Sequence, residues 1–139
     1  MRGMNWKLGA AIVVLGGAVT GCGGPLKYEI HGTPKAPEID VHIVADVNKD
    51  SAFTSFKINV EHLAPPGRLG DGKKFVVWAK GAKSQWYRVG ALKYDDDSRK
   101  ASIDGVSTPV TAFDMEITVE HEVTPEAPSS DVVFSQHVN

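Results

Sequence analysis

Apolar and polar residues alternate with a period of two along much of the chain beyond residue 38. The alternation is clearest in VTAFDMEITVEH, residues 110–121, where every second residue from Phe113 to Val119 is apolar. It recurs in EIDVHIVADV, residues 38–47, and in FKINVEHL, residues 56–63. A period of two is typical of β-strands with one buried face, so each segment is predicted to be a strand.

Other segments complete the strand pattern. FVVWAK, residues 75–80, is almost entirely apolar, which indicates a central strand covered on both faces. SQWYRVGALKY, residues 84–94, is predicted as one strand bent at Gly90. Shorter strands are predicted at residues 28–31, 100–103 and 131–136.

Turn-forming segments separate these strands. NKDSAFTS, PPGRLGDGKK, DDDSRK and VTPEAPSS are rich in the Pro, Gly, Asn and Asp residues that mark turns and loops. The chain beyond residue 21 shows no convincing amphipathic helix, and the predicted strands number seven or eight. The sequence therefore predicts an all-β fold, with a two-sheet β-sandwich as the expected architecture and a small barrel as the alternative.

The first 21 residues have the pattern of a targeting segment rather than of a folded element. Arg2 and Lys7 supply positive charge, and an uncharged apolar run extends from Leu8 to Val19. That run is about 12 residues long, against roughly 20 for a helix that spans a bilayer. Residues 1–21 are therefore predicted to be a cleaved signal peptide.

The single cysteine lies directly after this segment. The tetrapeptide Val19-Thr20-Gly21-Cys22 resembles the lipobox of bacterial lipoproteins. The resemblance implies cleavage between Gly21 and Cys22, and a diacylglyceryl group on the Cys22 sulfur, since the thioether requires a thiol. The alternative is an ordinary secretory signal with an incidental cysteine. Gly23 is not the Asp that marks inner-membrane retention in this family, so the outer membrane, facing periplasm or surface, is expected in an organism with two membranes.

The remaining chain is divided by composition. GGPLKYEIHGTPKAPE, residues 23–38, contains Gly and Pro residues that interrupt regular structure, so residues 22–37 are predicted to form the lipid anchor and a flexible tether. Residues 38–139 are predicted to form one β-sandwich domain.

Charge excludes one class of partner. Removal of residues 1–21 leaves 118 of the 139 residues, with 13 of the 15 basic residues against all 17 acidic ones. The resulting net charge of about −4 argues against nucleic acid as a partner. With Cys22 carrying the lipid, the exported domain has no disulfide and depends on its core.

Metal ligands occur only in weak patterns. Asp46, Asn48 and Asp50 have the first spacings of a calcium loop, but Ser51 and Lys57 stand where that loop needs Gly and Glu. A polar hairpin turn is the favoured interpretation. The acidic run Asp95–Asp97 is interpreted as a solvated turn. His42 and His62 lie on neighbouring predicted strands, and a two-histidine site is a minor alternative. No metal and no cofactor is predicted.

No pattern indicates catalysis. The chain lacks a GxSxG nucleophile elbow and a phosphate-binding glycine loop in its strand-to-helix context. The protein is therefore predicted not to be an enzyme. Trp78, Trp86 and Tyr87 are the residues of a possible aromatic patch, and they support an alternative function as an envelope protein that binds small ligands or carbohydrate.

Three later segments resemble the extracytoplasmic C-terminal domain of anti-sigma-K factors. They are FVVWA, residues 75–79, YRVGAL, residues 87–92, and residues 111–134. The resemblance implies an immunoglobulin-like β-sandwich. A lipid anchor replaces the sigma-binding domain and membrane helix of that family, and His121-Glu122-Val123 replaces its Gly-Gly. The resemblance therefore implies neither anti-sigma activity nor catalytic residues.

Together these features predict a lipid-anchored cell-envelope lipoprotein with a non-catalytic interaction or structural module. Its expected partners are the membrane, through Cys22, and another envelope protein. The loops APPGRLGDGKK, residues 64–74, and VTPEAPSSD, residues 123–131, or a sheet edge, are expected to meet that protein.

Overall fold

The computed structural model describes residues 24–122 and 124–139, and these form two antiparallel sheets. The all-β sandwich predicted from the alternation is confirmed. The described strands are β1 (Leu26–His31), β2 (Asp40–Asn48), β3 (Phe53–Glu61), β4 (Lys74–Lys80), β5 (Tyr87–Ala91), β6 (Lys93–Asp95), β7 (Lys100–Thr108), β8 (Phe113–Glu120) and β9 (Val132–Val138). One short helix, α1 (Pro66–Leu69), lies in the loop between β3 and β4.

The strand order is that of an immunoglobulin-like sandwich with one added strand. One sheet has the order β1-β2-β3-β7-β6 and the other has the order β5-β4-β8-β9. Without β1, these orders correspond to the A-B-E-D and C′-C-F-G sheets of the immunoglobulin fold. The immunoglobulin-like architecture is therefore confirmed, with nine described strands rather than seven or eight.

The core lies between the two sheets and follows the predicted alternation. In the five-stranded sheet Ile43 pairs with Ile58, and both side chains are buried. In the four-stranded sheet Met115 and Ile117 are fully buried and face them across the sandwich. Each such side chain contributes roughly 1.5–3 kcal/mol by leaving water.

Strand β4 is covered on both faces, as its apolar sequence predicted. Phe75, Val77 and Ala79 belong to the central core cluster. Val76 and Trp78 alternate with them on the outer face, and both are fully buried. The single run of apolar residues thus serves two layers of packing.

The segment SQWYRVGALKY forms two strands in different sheets rather than one bent strand. The chain leaves β5 at Ala91 and enters β6 at Lys93. Between them Leu92 is buried, and its N–H donates to the Phe75 carbonyl at 2.9 Å. Burial of this one apolar side chain fixes the crossing point between the sheets.

Strand β7 is longer than the predicted strand at residues 100–103, because its pairing with β3 continues beyond a β-bulge that follows Ile103. Phe56 pairs with Val106 but Ile58 pairs with Ile103, so the β7 strand holds one extra residue between these pairs. Gly105 lies there with φ +70°. A glycine in the left-handed region is the signature of a bulge that strengthens the local twist.

Residues 26–37, predicted as part of a flexible tether, belong to the folded domain instead. β1 pairs with β2 from Leu26 to His31. The following turn is also fixed, because Ala36 is buried and the Thr33 hydroxyl donates to the Val133 carbonyl at 2.8 Å. Alternating half-buried residues in β1 supply enough apolar surface to extend the sheet, despite the flanking Gly and Pro residues.

A Gly32→Ala substitution is expected to destabilise the domain. Gly32 has φ +78°, and a Cβ at this position would lie 2.7 Å from the Pro37 carbonyl oxygen. The left-handed conformation alone costs an alanine about 1–2 kcal/mol, and the contact adds to that cost. Urea unfolding measures the loss of free energy.

Gly67→Ala is the matched control, because a Cβ there meets no atom within 4 Å and its residue lies in α1. Its free energy of unfolding should stay the same or rise slightly. Equal stability of the two variants would contradict the prediction that the backbone conformation at residue 32 requires glycine.

Candidate functional site

The strand pairings define two opposite ends of the sandwich. Leu26 pairs with Ala45, near the end of β2, so β1 begins at the end that holds the β2–β3 hairpin. This N-terminal end carries the loops at residues 49–52, 81–86 and 109–112. The distal end carries the loops at residues 32–39, 62–73, 96–99 and 121–131.

The two loops predicted to meet a partner lie side by side at the distal end. The Asp131 carboxylate accepts a hydrogen bond from the Asp71 N–H at 3.0 Å and one from the Lys35 ammonium at 3.3 Å. The Lys73 N–H donates to the Glu120 carbonyl at 2.9 Å. Asp131 thus joins the loop at 62–73, the loop at 121–131 and the turn after β1. We refer to residues 64–74 and 124–131 as the distal loop pair.

Charge and close packing hold Asp131 in this position. The pKa of its carboxyl is lowered, first by the hydrogen bond from the Asp71 N–H and then by the Lys35 ammonium. Gly70 lies so close that a Cβ there would be 2.6 Å from an Asp131 carboxylate oxygen. The missing side chain at Gly70 therefore lets the carboxylate approach the loop.

The distal loop pair presents a restricted backbone to solvent. It contains Pro65 and Pro66 in the first loop and Pro125 and Pro128 in the second. Proline fixes φ near −65°, so these loops lose less conformational freedom when a partner binds.

A chain of hydrogen bonds connects the distal loop pair to the middle of the four-stranded sheet. The Trp78 indole N–H donates to the Thr118 hydroxyl at 2.8 Å, and that hydroxyl donates to Glu120 Oε2. The Ser129 N–H donates to the same oxygen at 2.8 Å. Only 6% of Glu120 is exposed, so its carboxylate serves loop attachment rather than solvent.

The three aromatic residues of the predicted patch do not form one surface. Trp78 is fully buried on the outer face of its sheet, while Tyr87 packs against the central core. Trp86 is half-buried, and the Lys80 ammonium lies 5.8 Å from its ring centroid. Of the three rings, only Trp86 lies in an exposed loop, at the N-terminal end.

The acidic segments form hydrogen-bonded turns. The Asn48 side-chain oxygen accepts the Ser51 N–H at 2.9 Å, which is the turn geometry favoured by the sequence. Asp95 accepts hydrogen bonds from the Ser98 hydroxyl at 2.9 Å and the Asp97 N–H at 3.0 Å, and these lower its pKa. Within residues 24–122 and 124–139, no group of three or more His, Cys, Asp or Glu residues has the geometry to hold a metal ion.

The histidines pair differently from the sequence expectation. His42 lies 3.3 Å from a Glu29 carboxylate oxygen and does not meet His62. His31 and His62 instead share Asp40, with Nδ1–oxygen distances of 2.7 Å and 3.0 Å. The sequence does not indicate this cluster, because no local pattern shows which residue lies opposite His31. His31 meets Asp40 because the two residues lie opposite each other in the register of β1 and β2.

The pair of His31 and Asp40 is expected to make stability depend on pH. The hydrogen bond to Asp40 raises the pKa of His31 above 6.5, and the bonds from His31 and His62 lower the pKa of Asp40 below 3.8. The His31 contribution is complete below pH 6.5 and is lost as pH rises through its raised pKa. The Asp40 contribution is present above pH 3.8 and is lost as pH falls through its lowered pKa.

NMR titration of His31 tests this coupling. Asp40→Asn should lower the pKa of His31, because the largest cause of its rise is removed. Asp46→Asn, at an exposed position of the same strand, should leave the raised pKa of His31 in place. An unchanged pKa in Asp40→Asn would show that the ion pair does not form in solution.

An open groove lies on the outer face of the five-stranded sheet, across β3, β7 and β6. Its volume is about 450 Å³, and its lining includes Glu61, Lys93, Asp95 and Lys100. The Lys100 ammonium lies 3.9 Å from a Glu61 carboxylate oxygen. The acidic and basic groups compensate one another, so the groove has no charge preference.

Cys22 and Gly21, the predicted lipidation and cleavage residues, lie outside the described residues. None of the helices in the described part is long and apolar enough to cross a bilayer. No family model, curated protein or solved structure matches the chain.

Proposed function

We propose that the protein is a lipid-anchored cell-envelope protein whose β-sandwich presents the distal loop pair to another envelope protein. The lipid is attached at Cys22, and the signal peptide is then cleaved behind Gly21. The domain contributes binding rather than catalysis.

The observation that supports this proposal is that the start of β1 and the distal loop pair lie at opposite ends of the sandwich. β1 begins at Leu26, with only Gly23, Gly24 and Pro25 between it and Cys22. The distal loop pair lies at the other end of strands of nine residues, which extend about 30 Å at 3.3 Å per residue. This arrangement supports attachment at one end and contact with a partner at the other.

The charge of the distal end supports a partner with a basic surface. Its four loops contain seven acidic residues and four basic ones. The acidic residues are Glu38, Asp71, Asp96, Asp97, Glu122, Glu126 and Asp131. A negative potential at this end favours encounter with complementary positive surfaces.

Intact mass of the protein extracted from its native membranes tests the anchor. The expected mass is that of residues 22–139 plus a lipid adduct. A mature chain without an adduct would contradict the proposal.

Photo-crosslinking in intact cells tests the partner surface. A crosslinking residue at Arg68 or Glu126, both exposed in the distal loop pair, should give the same discrete protein adduct. A crosslinking residue at Lys57, exposed on the outer face of the five-stranded sheet, is the matched control. Adducts of equal yield from all three positions would contradict the proposal that the distal loop pair is the partner surface.

A further inference from the structure

We propose that the N-terminal end of the sandwich rests on anionic phospholipid headgroups through the β4–β5 loop, residues 81–86. Trp86 and Lys83 of this loop, with the adjacent Lys80, form the contact. The domain then stands upright, with the distal loop pair directed away from the bilayer. This inference rests on the lipid anchor of the proposed function.

The length of chain before β1 places this end next to the membrane. From Cys22 to Leu26 there are four Cα steps, which extend at most about 14 Å. The start of β1 therefore stays within that distance of an acylated Cys22. The loop at 81–86 lies at the same end, because Lys80 pairs with Asp114 and the neighbouring Phe113 pairs with Val138 at the end of β9.

The lateral position of the loop also permits simultaneous contact. The Tyr28 hydroxyl is 3.3 Å from the Asn139 carbonyl oxygen, which places β1 beside β9. In the sheet order β5-β4-β8-β9, three strand intervals separate β9 from β5. At about 4.8 Å each, these amount to about 14 Å of lateral distance. Because the loop and the start of β1 lie at the same end, both face the bilayer surface when the domain stands upright.

The side chains at this end suit an interfacial position. Trp86 is half-buried, with the Lys80 ammonium beside its ring, and Lys83 is exposed. Tryptophan concentrates at membrane interfaces, and lysines near an anionic leaflet are attracted to it. On the adjacent strand β8, Asp114 lies opposite Lys80 and is paired with His137 at 2.7 Å. Glu116 on the same strand also lies within reach of the Lys80 charge, and its pKa is raised first by burial.

The charge difference between the two ends agrees with this orientation. The three loops of the N-terminal end contain only Lys49, Asp50 and Lys83 as charged residues. The four distal loops carry an acidic excess. An anionic surface therefore attracts the N-terminal end in the upright domain, and it repels the distal end only in a tilted domain that brings that end within the Debye length of about 8 Å.

Quenching of tryptophan fluorescence by brominated lipid tests the contact. The full mature protein is extracted, its lipid adduct is confirmed by mass, and it is reconstituted into phosphatidylcholine vesicles with or without phosphatidylglycerol, brominated near the headgroup. The mature chain has two tryptophans, Trp78 and Trp86, and Trp78 is fully buried. Quenching is expected in the anionic vesicles and should fall to background in Trp86→Phe.

Charge variants complete the test. Lys83→Glu should reduce the quenching, whereas Lys57→Glu, on the outer face of the other sheet, should not. A missing lipid adduct would overturn the anchor itself. An intact adduct with no quenching of Trp86, or with equal quenching in vesicles with and without phosphatidylglycerol, would overturn the headgroup contact while leaving the anchor in place.

Discussion

A Cys22→Ser variant is expected to accumulate as an uncut precursor that keeps residues 1–21 and carries no lipid. The hydroxyl of serine does not form the thioether on which the lipobox resemblance depends, and cleavage in that family follows lipid attachment. The effect should be complete rather than partial, because one atom is the attachment point.

Membrane fractionation does not distinguish this variant from the wild type, because both forms are expected on the membrane. Each buried methylene contributes about 0.8 kcal/mol, so the two or three acyl chains of the proposed anchor would hold the wild-type domain on the membrane. The uncut apolar run from Leu8 to Val19 also favours the bilayer and would retain the precursor there. Intact mass separates the two forms, since the precursor keeps residues 1–21 and lacks the lipid.

Gly23→Ser is the matched control, because it places serine next to the cysteine without removing the thiol. This variant should be cut and lipidated as the wild type is. Release of a correctly cut, soluble chain from Cys22→Ser would instead show that an ordinary secretory signal operates here, and the proposed anchor would fail.

The strands with one buried face were predictable because burial alone determines their pattern. In β2, β3 and β8 each alternate residue faces either the core or the outer surface, so composition and structure agree position by position. The nearly unbroken apolar run of β4 was equally informative, since both faces of that strand are covered.

The edge strands were harder to predict because their residues are only half-buried. β1 has no fully buried residue, and its pairing with β2 depends on a register that no local pattern encodes. The separation of β5 from β6 depends on one buried residue, Leu92. The cluster of His31, Asp40 and His62 follows from that same long-range pairing, so neither spacing nor composition predicts it.

The role of Trp78 could not be derived from the sequence for a related reason. Its apolar neighbours favour burial over a surface patch, but they do not show on which face of β4 the ring packs. Only the pairing of β4 with β8 shows that Trp78 lies next to Thr118 on the outer face, outside the central core cluster. The buried indole N–H then needs an acceptor, and the Thr118 hydroxyl supplies it.

A Trp78→Ala substitution is expected to cause the largest loss of stability among the single variants considered. Trp78 is the largest fully buried side chain, and truncation of such a residue costs about 3–5 kcal/mol. Urea unfolding measures this loss. Trp86→Ala is the matched control, since the same residue type is half-buried in an exposed loop and should lose much less.

A Thr118→Val substitution separates the hydrogen bonds of this cluster from its packing. Valine keeps the shape of threonine but leaves the Trp78 N–H without its acceptor and removes one donor to Glu120, at a cost of about 1–3 kcal/mol. Because Glu120 also holds the Ser129 N–H, the loosened carboxylate should speed hydrogen exchange at Ser129 in the distal loop pair. Hydrogen exchange at the Ile58 amide, in the opposite sheet, should accelerate less than exchange at the Ser129 amide. Equal acceleration at both amides would mean that the variant destabilises the whole domain, and the chain from Trp78 to Ser129 would then have no separate role in holding the loop.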